Sequence, residues 1–236
     1  MAKQKQKFKT LPAHEAIKLK EKLNKELERA REFLNEKFYN MLKAKGIKIS
    51  KEEFLDLKPF HWGFEFYEAF DLEKPKEERG FDVIIGNPPY GDPKSHVVSG
   101  KELEILKSTF KHKLCLKNSA SIFIERSYEK LRKNGKFGYI IPHTFSRKDY
   151  FSEARKFLLE NSYLYLLADA GQPFIGVNYE MMILFFSKEK KNHDYTINIF
   201  SFRNKIKNKI SRKICQITKI FPFYWNEIVK LSLIHI

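Results

Sequence analysis

Between about residue 12 and residue 45, apolar side chains recur at steps of three or four: Ile17, Leu19, Leu23, Leu27, Ala30, Leu34 and Phe38, with one early step of two. That period is helical, and the positions between are mostly Lys and Glu, so the stretch predicts one long amphipathic helix or a helical hairpin arm. The stripe needs a partner, and it suits a peripheral packing helix better than a coiled coil or a DNA-contacting arm. Gly46 to Ser50 break the period, and Ser50-x-x-Glu53 has the form of a capping box opening a short second helix. The last part of Pro59-Phe60-His61-Trp62-Gly63-Phe64-Glu65-Phe66 alternates as a strand would.

Beyond a charged, Pro-containing turn at Lys74 to Gly80, the pattern changes to short apolar runs separated by helical segments. Val83, Ile84 and Ile85 predict a fully buried central strand; Gly86 ends it, and Asn87-Pro88-Pro89-Tyr90 forms a stiff loop at its carboxyl end. Gly91-Asp92-Pro93 and Ser95 to Gly100 read as a mobile loop. Ser119 to Lys133 read as a helix carrying Ile122, Ile124, Tyr128 and Leu131, stopped by Asn134-Gly135. Phe137 to Ile141 predict the next strand, Asp149 to Asn161 a helix, Tyr163 to Ala168 a strand, and Met181 to Phe186 another after the Gly171–Gly176 loop. Strands alternating with helices predict an α/β sheet with crossover connections, whose carboxyl edge is where ligands bind.

Composition narrows the setting. The chain has 236 residues, enough for one substantial core and a small appendage. No apolar run approaches the roughly eighteen residues of a membrane span, and the basic amino terminus lacks the apolar core of a signal peptide. Cys115 and Cys215 have neither paired nor metal-ligand spacing, and His61, His96 and His143 form no metal pattern, which fits a reduced, cytoplasmic setting. A formal net charge of +16 favours a polyanionic partner, though solvated lysine-rich faces would give the same excess. From Lys188 the pattern weakens, and Asn198 to Lys213 are basic, with Lys205-Ile206-Lys207 suiting an exposed strand or a nucleic-acid face. Leu231 to Ile236 match a reading frame of a transposon end sequence used as a sequencing adapter, and read as adapter-derived.

Phe81-Asp82-Val83-Ile84-Ile85-Gly86-Asn87-Pro88-Pro89-Tyr90 resembles the Asn-Pro-Pro-Tyr motif of amino-methyltransferases that use S-adenosylmethionine, above all the DNA adenine-N6 enzymes. Pro59-Phe60-His61-Trp62 with Glu65-Phe66, and after the loop Ile122 to Glu125, Leu131, Gly135, Tyr139 to Pro142 and Arg155 to Asn161, are similar to the corresponding segments of large restriction-modification adenine methyltransferases of the type II kind that combine restriction with methylation. The likeness runs from about Lys58 to Lys188. It implies a partial Rossmann-like methyltransferase sheet with an N-terminal helical arm, acting on a flipped adenine in double-stranded DNA. Asn87, through its side-chain oxygen, and Pro88, through its backbone carbonyl, would accept the amino hydrogens; Tyr90 would stack on the base, and Phe174 stands where the family puts a second aromatic. Trp62 reads as a core residue instead. RNA adenine or protein glutamine methylation, and a non-catalytic DNA-binding remnant, are the other readings.

The same family binds its cofactor through an upstream strand and glycine loop. Here the first glycine is Gly46, no Gly-x-Gly precedes the motif, and a charged helix stands in that place. Asp82 takes no cofactor role. The resemblance therefore implies an incomplete cofactor site, to be completed by a missing cofactor-binding half, with a separate specificity or nuclease region as another partner. The expected organisation is a charged helical arm or insertion over 1–57, the catalytic half over 58–190, a basic segment over 191–230 and the adapter-derived tail over 231–236.

Overall fold

The structure, a computed structural model, describes residues 12–91, 100–110, 118–176, 178–202 and 206–211. It divides into two compact units, with the boundary between Glu65 and Phe66.

In the first unit, the apolar stripe becomes helix α1, Ala13–Ala44. Leu42 at its end is buried together with Ile47, Ile49 and Phe54. Helix α2, Lys51–Asp56, opens with the expected capping box: Ser50 Oγ accepts from the Glu53 N–H, and the Ser50 N–H donates to Glu53 Oε2 at 2.8 Å. Phe54 of α2 meets Phe38 edge-on at 5.5 Å. The alternation at 63–66 does not produce a strand. Trp62–Glu65 form a single helical turn, α3, because the His61 carbonyl accepts from both Phe64 N and Glu65 N, and Arg31 holds Glu65 at 3.0 Å. Trp62 is half-buried against Phe60 rather than enclosed in a core.

In the second unit, six described strands form one sheet in the order β1-β2-β4-β3-β5-β6. They are β1 Phe81–Gly86, β2 Leu131–Pro142, β3 Tyr163–Gly171, β4 Met181–Ser187, β5 Thr196–Ser201 and β6 Ile206–Ser211. The helices are α4 Gly100–Thr109, α5 Ser119–Lys130 and α6 Ser152–Asn161. Strands β1 and β2 run parallel, as do β3 and β5, whereas β4 enters antiparallel between β2 and β3. The α/β expectation therefore holds. Helix α5 stops at Lys130, earlier than expected: Leu131 already begins β2, and Asn134 takes a positive φ of 62° inside that strand.

One face of this sheet carries the core. Phe137, Tyr139 and Ile141 of β2 stand opposite Phe186, Leu184 and Met182 of β4, and the Phe137 and Phe186 rings stack at 4.3 Å. Ala120 and Ile124 of α5 and Ala154, Phe157 and Leu158 of α6 close over them. The alternate positions point the other way. There Gly138 lies opposite Phe185 and Ile140 opposite Ile183, and these side chains other than Gly138 are only half-covered.

Strand β1 corrects the sequence expectation. It is neither central nor fully buried among the described residues: β2 is its one paired neighbour, Val83 is 57% exposed and Ile85 76%. A β-branched run encodes strand preference, but burial depends on what neighbours supply. Only Ile84 packs toward the core cluster. The 92–99 loop, His96, Cys115, Cys215, Arg203, Lys205, Arg212, Lys213 and the 231–236 tail lie outside the described residues.

The asymmetry of the two faces is measurable by urea denaturation. Leu184→Ala should cost about 2–5 kcal/mol, whereas Ile85→Ala should change stability by about 0.5 kcal/mol or less.

A candidate amine-binding loop at the carboxyl edge of the sheet

Asn87 to Tyr90 leave the end of β1 with both flanks held. At the start, Gly86 lies under the Tyr139 ring, and a Cβ there would come within 3.3 Å of Tyr139 Cε1. Tyr139 is itself fixed by a 2.6 Å hydrogen bond between its hydroxyl and Ser127 Oγ, and burial pushes its phenol above the ordinary range. At the far end, the Gly91 carbonyl accepts from the Ser119 N–H at 3.1 Å and from Ser119 Oγ at 3.2 Å. That ties the loop to the first turn of α5, which is capped by Asn118 through Ala120 N. Gly91 has φ 131°, a conformation that favours glycine.

Between these clamps Asn87 is exposed, Pro88 is buried and Tyr90 is half-buried against the core cluster. The Tyr90 ring meets the edge of the Tyr179 ring at 6.1 Å. Tyr179 was not legible as a site residue, since it stands in an unpatterned stretch before β4. Ser119 likewise carried no signal beyond a helix start.

Phe174 lies in the β3–β4 connection and is 37% exposed. Because Met181 pairs with both Pro142 and Gly171, that connection emerges at the same edge of the sheet as the carboxyl end of β2, next to the end of β1. The structure thus brings Asn87, Pro88, Tyr90 and Phe174 to one edge, and Tyr179, in the same connection as Phe174, meets Tyr90 there. Two further features belong to this edge. Asp169 is buried, accepting from Gly171 N at 3.0 Å and from Ser201 Oγ at 3.3 Å, and a recess of about 420 Å³ is lined by Ala170, Gly171, Gln172 and Phe202.

Asp82 sits at the opposite end of β1. Arg132 donates to it at 2.7 Å, and this hydrogen bond holds the carboxylate below its usual range. Both line a recess of about 570 Å³ with Glu68, Lys74 and Glu78, remote along the strand from Asn87. His61 belongs to the first unit, where it shares a 2.7 Å hydrogen bond with Asn35. No group of three potential metal ligands occurs among the described residues, and no described helix is long and apolar enough to cross a membrane.

An α/β sheet presenting an Asn-Pro-Pro-Tyr loop at its carboxyl edge defines the class of protein. Residues 4–175 match the model of the Eco57I restriction-modification methylase family, and the chain belongs to that family. It is 36% identical over 160 residues to the type II restriction enzyme and methyltransferase RM.Eco57I of Escherichia coli, covering 66% of this chain and 14% of that protein. It is 34% identical over 181 residues to a putative type II restriction enzyme and methyltransferase of Methanocaldococcus jannaschii, covering 75% and 14%. It is 35% identical over 157 residues to the type II methyltransferase M.TthHB8I of Thermus thermophilus, covering 62% and 34%. The chain therefore spans about one seventh to one third of these relatives' lengths. Among solved structures, a modification subunit of a putative type I restriction enzyme from Vibrio vulnificus is similar at a TM-score of 0.44 and 17% identity, over 61% of this chain and 36% of that one.

Burial lowers the His61 imidazole from its ordinary pKa, outweighing the opposing pull of Glu65. The folded state thus binds this proton less readily than the unfolded chain. The associated stability is present above the unfolded value near ~6.5 and is lost as pH falls through the depressed folded value. An NMR titration should place the His61 midpoint below that of an unfolded reference peptide, and the urea midpoint of the first unit should fall on acidification.

Proposed function

We propose that this chain is the amine-binding, catalytic half of a DNA adenine-N6 methyltransferase of a restriction-modification system, using S-adenosylmethionine as methyl donor. The observation that carries the reading is the Asn87–Tyr90 loop in a family member, with an exposed Asn87 and an aromatic ring beside it at a ligand-binding edge. The lone pair of adenine N6 is delocalised into the ring, so the amine is a poor nucleophile. Asn87 Oδ1 and the Pro88 carbonyl accept its two hydrogens, which favours a more tetrahedral nitrogen and makes the lone pair available. Pro88 and Pro89 restrict the loop, so the acceptors are positioned before the base arrives. Tyr90 gives a face for stacking an extruded base, with Phe174 as the second aromatic. The net charge of +16 favours a double-stranded DNA partner through counterion release.

The described residues fit the acceptor amine and do not fit the cofactor. Beside Asn87 the flank of β1 opposite β2 is open, with Val83 and Ile85 exposed where a wall for the donor is needed. When bound, S-adenosylmethionine supplies an electrophilic methyl group. This chain's contribution is to hold and polarise the amine that receives it.

Calorimetry on the chain alone should detect no micromolar binding of S-adenosylmethionine; a micromolar dissociation constant would overturn the reading of an incomplete cofactor site. With a cofactor-binding half supplied, labelled methyl should enter duplex DNA in preference to ribosomal RNA or protein. Asn87→Ala should abolish that transfer and leave the urea midpoint nearly unchanged, since an exposed side chain is removed. Transfer into RNA or a glutamine amide would favour those substrates, and DNA binding without any transfer would indicate a non-catalytic remnant.

A further inference from the structure

We infer that Ile175, at the tip of the β3–β4 connection, is an apolar wedge that enters the DNA stack and fills the space vacated by the extruded base. The inference rests on the duplex-DNA, base-extruding reading proposed above. It assigns a residue to the step that comes before the amine reaches Asn87.

The connection is held at its base and bare at its tip. Where it leaves β3, the Asp169 carboxylate accepts from Gly171 N at 3.0 Å, and the Asp169 carbonyl accepts from Phe202 N at 3.0 Å. Where it joins β4, the Glu180 carbonyl accepts from His143 N at 2.8 Å. Near the tip Gly176 turns the chain with φ 77°, and a Cβ there would meet nothing within 4 Å. Ile175, just before it, is 105% exposed, more than any other large apolar side chain among the described residues.

A single exposed aliphatic side chain is ordinary on a protein surface. Company, place and charge set this one apart. Phe174, 37% exposed, precedes it, and Tyr179, 61% exposed, follows four residues later. Tyr179 meets the Tyr90 ring of the Asn87 loop, and four extended residues reach at most roughly 14 Å, so the tip stands close to the proposed base site. From Phe157 to Ser187 there is no Lys or Arg, in a chain that has 45 of them. The tip therefore has no cation of its own with which to grip a phosphate, and what it offers a polyanionic duplex is apolar surface. An extruded base leaves a gap of about 3.4 Å along the duplex, close to the contact distance of one layer of carbon atoms. Unstacking is unfavourable, and an aliphatic side chain in the gap restores contact to the neighbouring bases. Isoleucine is stiff at χ1 and asks for no hydrogen-bond partner there. Tyr90 and Phe174 are committed to the base itself, which leaves Ile175 for the gap.

The test is fluorescence anisotropy of the full chain on two duplexes of one sequence, fully paired or carrying one abasic position, over a range of salt. The abasic duplex presents the gap ready-made, so wild type should bind it about tenfold more tightly. Ile175→Ala should erase that preference while the slope of affinity against salt stays the same, because no phosphate contact is lost. Ile175→Leu should keep it. Equal affinity of wild type for both duplexes overturns the inference, and so does a preference that survives in Ile175→Ala. Self-association of the chain that Ile175→Ala abolishes also overturns it, by assigning the tip to a protein partner. A chain that binds neither duplex sinks the DNA reading and the wedge together, whereas salt-sensitive binding without an abasic preference sinks the wedge alone. Methyl transfer, with a cofactor-binding half supplied, separates the wedge from the acceptor. Ile175→Ala should slow transfer into paired duplex about tenfold and recover when the target adenine faces an abasic site, whereas Asn87→Ala should lose both. A deficit that the abasic site does not relieve counts against the wedge.

Discussion

The second unit depends on the antiparallel register of β2 against β4. That pairing puts Phe137 opposite Phe186, Tyr139 opposite Leu184 and Ile141 opposite Met182, so six large apolar side chains share one face. A slip of β2 by one residue would turn its three outward and bring Lys136, Gly138 and Ile140 under the helices. Everything at the candidate site is referred to this pair. Strand β1 is laid on β2, α5 is held down through Ser127 and Tyr139, and the β3–β4 connection ends where β4 begins.

Two polar anchors, one buried and one half-buried, keep the surrounding segments in register with that core. Arg155 of α6 is buried and donates to the carbonyls of Phe145 and Lys148, both at 2.9 Å, fixing the turn that follows β2; burial lowers its pKa without discharging so basic a group. Lys188, just past β4, donates to the Leu131 carbonyl at 2.7 Å and lies over the Tyr128 ring, joining the end of α5 to the start of β2. Both satisfy carbonyls that would otherwise lack a donor.

Much of this was legible in the sequence. The alternation of Phe137, Tyr139 and Ile141, and the punctuation by Gly86 and Pro142, marked β1 and β2 as strands and put the Asn-Pro-Pro-Tyr loop at a carboxyl end. The capping box at Ser50 was readable because a cap is a local device. What failed was whatever depended on partners distant in sequence. The exposure of Val83 and Ile85 follows from a missing neighbour, which a β-branched run cannot announce. The alternation at 63–66 was too short to outweigh the two hydrogen bonds to the His61 carbonyl. Tyr179 meets Tyr90 across 88 residues of intervening sequence only because β4 enters antiparallel, and nothing in its own neighbourhood says so.

The hydrogen bonds from Ser119 to the Gly91 carbonyl give the loop the mechanics of a short beam built in at both ends: the sheet grips it before Asn87, and the first turn of α5 grips it after Tyr90. Such a beam deflects least beside its supports. The side chain adjoining β1 therefore inherits the positional noise of the sheet rather than that of a loop. Slack is confined to the prolines in the middle, which have the least freedom to use it.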